Sequence, residues 1–213
     1  MKNYNVNFVD KNTLQINGLG DDPLWEKANV LTDFISPWDN QEIKKIELRS
    51  IWDSERIFFC YKVYDNEVHI ERKKDTIDSI NNSDRVEIFF RENASLNPYY
   101  CLEIDPDPRI MDFIAYAEKK FDFGWNWPEN HLMVKSNINE HYFTVEIAIT
   151  IQSLKELNLL NNSVIETGFY RAKYIKQEDE TYEPIWISWV NPNTETPNFH
   201  IASSFGTLTL LEP

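Results

Sequence analysis

Two cysteines in 213 residues, Cys60 and Cys101, define no disulfide framework, and without a Cys-x-x-Cys spacing they suggest no zinc site. Both lie in apolar, strand-like runs, which predicts buried free thiols. Glycine is nearly as scarce, at five residues, and the sequence holds neither a Gly-rich phosphate loop nor a Gly/Ser linker. Long hydrophobic runs are missing too, so no segment reads as a membrane span. The stretch Met1–Asn7 has no apolar signal-peptide core, so the chain reads as cytoplasmic, or as periplasmic or secreted if a leader has been trimmed away. Positive charge is short: 21 Lys and Arg face 35 Asp and Glu, for a net charge of −14. That balance disfavours nucleic acid, anionic membranes and strongly anionic polysaccharides as partners, because repulsion opposes each contact. A neutral ligand fits better.

What the chain has is aromatics, at 14%, within a hydrophobic content of 42% that supports a sizeable core and argues against disorder. Short β-rich runs recur throughout: 46–52, 57–64, 85–91, 99–105, 110–117, 132–138, 142–149, 164–175, 184–190 and 207–211. Turn clusters such as Asn81-Asn82-Ser83-Asp84 and Asp105-Pro106-Asp107-Pro108 separate them. In Phe143-Thr144-Val145-Glu146-Ile147-Ala148-Ile149 the apolar residues alternate, which predicts one core-facing side. Two short helices are expected, at Asp22–Ala28, with a cap residue and a proline at the first helical position, and at Ile151–Leu157. The pattern predicts an all-β, antiparallel β-sandwich with one or two short helices, forming one domain over residues 1–213.

Catalytic signatures are absent. There is no Gly-x-Ser-x-Gly elbow and no His-Glu-x-x-His, and His69, His131, His141 and His200 are scattered. Carboxylates are so numerous that a glycosidase-like pair would arise by chance, so their abundance carries no weight. The acidic turns at Asp21-Asp22, Asp105-Pro106-Asp107 and Glu178-Asp179-Glu180 offer oxygen ligands for calcium, though none has EF-hand spacing. The aromatics are more informative. Trp52, in an apolar strand, and Trp25, on the first helix, are expected in the core. Trp125 and Trp127 fall in Phe121-Asp122-Phe123-Gly124-Trp125-Asn126-Trp127-Pro128, a loop with Gly and Pro, where an exposed ring suggests ligand stacking. Trp38 is a similar, weaker candidate. The closing stretch sets Trp189, Asn191, Phe199 and His200 close together before the Phe205–Leu210 strand. Flat rings beside amide and imidazole groups suit a pyranose, with its apolar C–H faces and hydroxyl fringe.

Read in order, several segments resemble the family 9 carbohydrate-binding modules and their family-9-like relatives, which share the DOMON-like sandwich. Ile16-Asn17-Gly18 with Asp22-Pro23-Leu24-Trp25-Glu26-Lys27-Ala28 is similar to the family's opening motif. Ser50–Phe59, Asp84-Arg85-Val86-Glu87-Ile88-Phe89, Tyr142–Ile149, Gly168-Phe169 and the final Phe205-Gly206 continue the series over about residues 16–211. The resemblance implies non-catalytic binding of a neutral plant-type glycan of the xylan or glucan class, with no cofactor required beyond an optional structural calcium, and a glycoside hydrolase as partner. It places the family's polar contact on Glu87 and its second stacking ring on Phe199. It puts Glu103 where the family has an arginine, Ala172 where it has a glutamine, and no tryptophan near Ile80-Asn81, its first stacking position. The expected ligand set is therefore Glu87 accepting from hydroxyls, Phe199 with Trp125 or Trp127 stacking on a sugar face, and His200, Asn191 and Arg171 completing the polar fringe. Two alternatives are an endoxylanase-like hydrolase, which needs convergent carboxylates, and a DOMON-type haem or protein-interaction module, with Met111 and a histidine as axial ligands.

Overall fold

The computed structural model describes residues 1–11, 13–73 and 76–212, except for the side chains at 77 and 78. Its strands are β1 (Asn3–Phe8), β2 (Val30–Leu31), β3 (Ile46–Trp52), β4 (Arg56–Tyr64), β5 (Arg85–Arg91), β6 (Tyr99–Ile104) and β7 (Ile110–Tyr116). They continue with β8 (Lys120–Asp122), β9 (Leu132–Ile138), β10 (Tyr142–Thr150), β11 (Leu160–Asn161), β12 (Val164–Lys176), β13 (Tyr182–Ser188) and β14 (Gly206–Leu210). The one α-helix among the described residues, α1 (Ile151–Glu156), is capped by the Thr150 hydroxyl on the Ser153 N–H. The predicted first helix is a single 3₁₀ turn, Pro23–Lys27, whose Leu24 N–H is capped by Asp22.

Two sheets pack face to face. One runs β8-β7-β6-β5-β12-β14-β1, with β13 and β11 also on β12; the other runs β1-β3-β4-β10-β9, with β2 on β3. Strand β1 belongs to both, and it corrects the expectation of a purely antiparallel sandwich. Asn3–Val6 pair in parallel with Thr207–Leu210, and Asn7 and Phe8 pair in parallel with Ile51 and Trp52. Its Asn-rich sequence has weak strand propensity, but Tyr4 and Val6 point into the core and neighbours on both sides complete its ladder.

Alternation then assigns the faces. Phe143, Val145, Ile147 and Ile149 meet Val86, Ile88, Phe90, Leu102, Ile104 and Phe169 between the sheets. Trp189 joins this core, packing on Phe169 at 5.4 Å, and both cysteines are buried free thiols. Trp52 is only half-buried: it packs edge-on against Phe8 and donates to the Leu211 carbonyl. One end of the sandwich is closed by a buried ionic cluster in which Arg171 contacts Asp65 and Asp84, and Lys173 contacts the same two carboxylates.

The outer face of the β3-β4-β10 sheet is covered by the segment that carries the opening motif. Trp25 is buried there against Ile51, Phe58 and Ala148. Glu146, pointing outward from β10, accepts from the Trp25 indole at 2.8 Å and from the N–H groups of Asn17 and Gly18 at 2.9 and 2.5 Å. Gly18 has a φ of +93°, and a Cβ there would stand 2.7 Å from the Ser136 carbonyl oxygen, so only glycine fits. One carboxylate thus fastens a long covering loop. Replacing Glu146 with Ala strands two buried donors and one part-buried donor, and a loss of roughly 2–4 kcal/mol is expected in urea unfolding, with Glu146→Gln losing less. A midpoint unchanged in both variants would show that the loop is held by other contacts.

Candidate functional site

The outer face of the other sheet is also buried, and it carries the chemistry. On β5 the inward residues Val86, Ile88 and Phe90 alternate with Arg85, Glu87, Phe89 and Arg91. On β6 the outward set is Tyr99, Cys101 and Glu103, and on β7 it includes Met111 and Phe113. Register sets Glu87 directly opposite Glu103, and Arg85 opposite Ala172, which in turn faces Trp186 of β13. The small side chain of Ala172 leaves room above it, and the Arg85 guanidinium lies 5.5 Å from the Trp186 ring centre.

The loop before β14 makes the walls. Phe199 stacks on Tyr170 at 4.3 Å and meets Trp186 edge-on at 5.8 Å and Trp38 at 5.5 Å. Gly168 permits this arrangement, since a Cβ there would sit 1.9 Å from the Tyr170 hydroxyl oxygen. His200 lies flat on Phe89 at 5.0 Å, with its Nδ1 3.0 Å from the Tyr99 hydroxyl. Burial among these rings, with Lys119 and Arg85 nearby, lowers the His200 pKa to about 3, so the ring is neutral. Together these residues enclose a cavity of about 370 Å³. Its floor is Arg85, Glu87 and Glu103, its walls are Trp38, Trp186, Phe113, Phe199 and His200, and Asn81 and Asn198 supply amides. This size lies in the range of small-molecule pockets, about 300–1,000 Å³.

The floor is electrostatically unusual. The Arg85 Nε lies 2.9 Å from Glu87 Oε1 and 2.7 Å from Glu103 Oε2, yet neither contact has hydrogen-bond alignment. Another guanidinium nitrogen of Arg85 donates to the carbonyls of Ile80 and Asn81. Two buried carboxyl groups therefore share one cation at ion-pair distance. Burial, then repulsion from Glu103, pushes Glu87 from the ordinary 4.5 up to about 8, and burial also raises Glu103.

Of the residues expected from sequence to bind ligand, Glu87, Phe199 and His200 converge on this cavity. The others lie elsewhere. Trp127 is buried on the core side, against Phe90 and Tyr100, with its indole N–H on Ser153 Oγ at 3.2 Å. Trp125 packs on Tyr100 at 5.0 Å and on Trp127. Trp127, expected to be exposed, is tucked in, because Ser153 satisfies the one polar group of its ring and Asp112 accepts from its backbone N–H. Arg171 sits in the ionic cluster at the sandwich end, and Asn191 braces an exposed turn by accepting from the Asn193 N–H. Arg85 and Trp186 were not singled out from sequence. Period-two alternation would have found both: Arg85 shares the face of Glu87 two residues on, and Trp186 stands between the inward Ile185 and Ile187.

The three acidic turns do not fit a calcium cage. Asp22 caps Leu24, Asp105 accepts from the Asp107 and Arg109 N–H groups and pairs with the Arg109 guanidinium, and Asp179 is held by Thr181. Among the described residues no group of three His, Cys, Asp or Glu is arranged for a metal ion. Met111 and His200, the residue types a haem would need, both border the cavity, but its carboxylate floor suits hydroxyl groups and not an apolar macrocycle.

Comparison with known proteins identifies a family and a shared fold. A family model described as carbohydrate family 9 binding domain-like matches residues 16–212. Among solved structures, a protein of Bacteroides uniformis, assumed to bind carbohydrate, superposes with a TM-score of 0.73 at 16% identity, over 99% of both chains. A family 9 carbohydrate-binding module of Caldicellulosiruptor kristjanssonii in complex with glucose gives 0.67 at 15% identity, over 100% of this chain and 97% of that one. The same organism's module in complex with cellotriose gives 0.65 at 16% identity, over 98% and 93%. No curated protein sequence matches the chain.

The raised Glu87 pKa has a consequence for stability. Between about pH 4.5 and 8 the folded protein keeps a proton that the unfolded chain releases, so stability present below this window is lost as pH rises through it. Glu87→Gln removes the titration. Its melting temperature, relative to wild type, is expected to climb by several degrees from about pH 5 to about pH 8. A constant difference across that range would show that the carboxyl pair holds no extra proton.

Proposed function

Because the chain belongs to the carbohydrate family 9 binding domain-like family, we propose that its cavity holds a unit of a neutral oligosaccharide of the glucan or xylan class. The observation that carries this reading is the floor: Arg85, Glu87 and Glu103, three buried ionisable side chains that border the cavity beneath aromatic walls. A sugar hydroxyl donates to Glu87 or Glu103, Arg85 donates to ring or hydroxyl oxygens, and Trp186, Trp38 and Phe199 offer faces to the C–H surface. Hydrogen bonds to charged groups contribute about 1.5–3 kcal/mol each and ring contacts about 0.5–1.5 kcal/mol, which supports affinities from micromolar to millimolar.

The chain is a binding module, on the strength of its family, and Glu87 and Glu103 are read here as ligand contacts. They are cross-strand neighbours joined through one arginine, side by side on a single floor. Glycosidic cleavage needs an acid and a base or nucleophile flanking the scissile bond. A glycoside hydrolase acting on the same glycan is the partner this reading implies.

Calorimetric titration with glucose, cello-oligosaccharides and xylo-oligosaccharides tests the proposal. Wild type is expected to bind at least one series, and Glu103→Gln and Trp186→Ala are each expected to weaken binding about tenfold or more, a loss of ~1.4 kcal/mol or greater. Equal affinities in wild type and both variants would move the site away from this cavity.

A further inference from the structure

The mouth of the cavity carries apolar surface that the binding site described so far does not use. Phe121 is on the short strand β8, which forms the outer edge of its sheet, and Phe123 follows it directly. Phe123 is 57% exposed and Phe121 37% exposed, yet both reach the cavity's lining. The two rings meet at 5.9 Å, and each rests on the buried Phe113, at 5.4 Å for Phe121 and 4.8 Å for Phe123. Phe121 also touches His200 at 4.8 Å, so the wall of the cavity continues outward into this pair without a break. Lys119, exposed beside them, reaches the same lining and offers a donor to hydroxyl oxygens.

Exposed phenylalanines on a sheet edge carry a cost, since an apolar edge invites pairing with other chains. Here they are held in place by a buried ring and lie next to a carbohydrate-sized cavity. On the sugar-binding reading above, we propose that Phe121 and Phe123 form an outer subsite that stacks the unit adjoining the one in the cavity. The ligand is then a chain of at least two sugar units, with the second lying across the β8 edge. Stacking suits this position because the rings present only apolar surface, and each unit of a chain keeps C–H faces whatever its linkage.

The experiment is a chain-length series: titration of wild type and a Phe121→Ala/Phe123→Ala double variant with glucose, cellobiose and cellotriose, and with xylose, xylobiose and xylotriose. The readout is the ratio of monosaccharide Kd to disaccharide Kd. Wild type is expected to show a ratio of roughly 3 to 10, and the double variant a ratio near one. Phe123→Tyr, which keeps the ring, is expected to keep the ratio. Should the double variant fail to fold, Phe123→Ala alone serves, since that side chain is mostly exposed, and it is expected to lower the ratio.

A wild-type ratio of one, with the monosaccharide still binding, overturns the outer subsite and leaves the cavity reading intact. Absence of binding to every sugar overturns both. A ratio unchanged by the double variant also overturns the subsite. So does sedimentation showing that wild type self-associates without sugar and that the double variant does not, because the ledge would then be a contact between copies of this chain.

Discussion

Strand β5 meets water on neither face. Every residue from Arg85 to Arg91 is buried, three of them in the core between the sheets and four under the loops on the outer side. Its two-residue period therefore ties two jobs together. Whatever holds Val86, Ile88 and Phe90 in the core also aims Arg85 and Glu87 at the cavity floor. A register slip of one residue would bury the charged pair in the core and expose the core residues, so the packing of the sandwich protects the geometry of the site. The partners repeat this arrangement, since β6 brings Glu103 and β12 brings Ala172 and Tyr170 by the same alternation.

The floor also shows a cost the fold tolerates. Two carboxylates on one guanidinium, away from solvent, are poorer for stability than an apolar layer of the same volume. Retaining them makes sense where they face a ligand, because a polar floor distinguishes a hydroxylated molecule from an apolar one of equal size. The contrast with Glu146 is instructive. That buried carboxylate already has three donors from its own chain and serves as a fastener. Glu87 and Glu103 instead share one guanidinium and border the cavity.

Much of the strand framework was legible in sequence because alternating apolar residues and turn clusters are local signals. The runs at 46–52, 85–91 and 132–138 match β3, β5 and β9 residue for residue. Strand β1 was not legible: its asparagines mask a strand whose partners, β3 and β14, lie about 45 and 200 residues away in sequence. The short β2, β8 and β11 were missed because two or three residues carry no period. At the site, Glu87, Phe199 and His200 could be named from motif and composition, whereas Arg85 and Glu103 become partners only through cross-strand register. Trp125 and Trp127 misled for a physical reason. A Gly- and Pro-containing loop signals exposure, but the buried Ser153 hydroxyl and its aromatic neighbours drew the Trp127 ring inward.

The parallel pairing of β1 with β14 has a mechanical meaning. Residues Asn3–Val6 and Thr207–Leu210 run in the same direction, so the chain enters β1 at one end of the pair and leaves β14 at the other. Tension applied through the two ends of the chain pulls these strands lengthwise past each other. All of their mutual hydrogen bonds are then loaded at once, and none can be peeled away first. Pulled from both ends, the chain would resist through this seam as a shear clamp, and the rest of the sandwich would carry no load until the seam gave way.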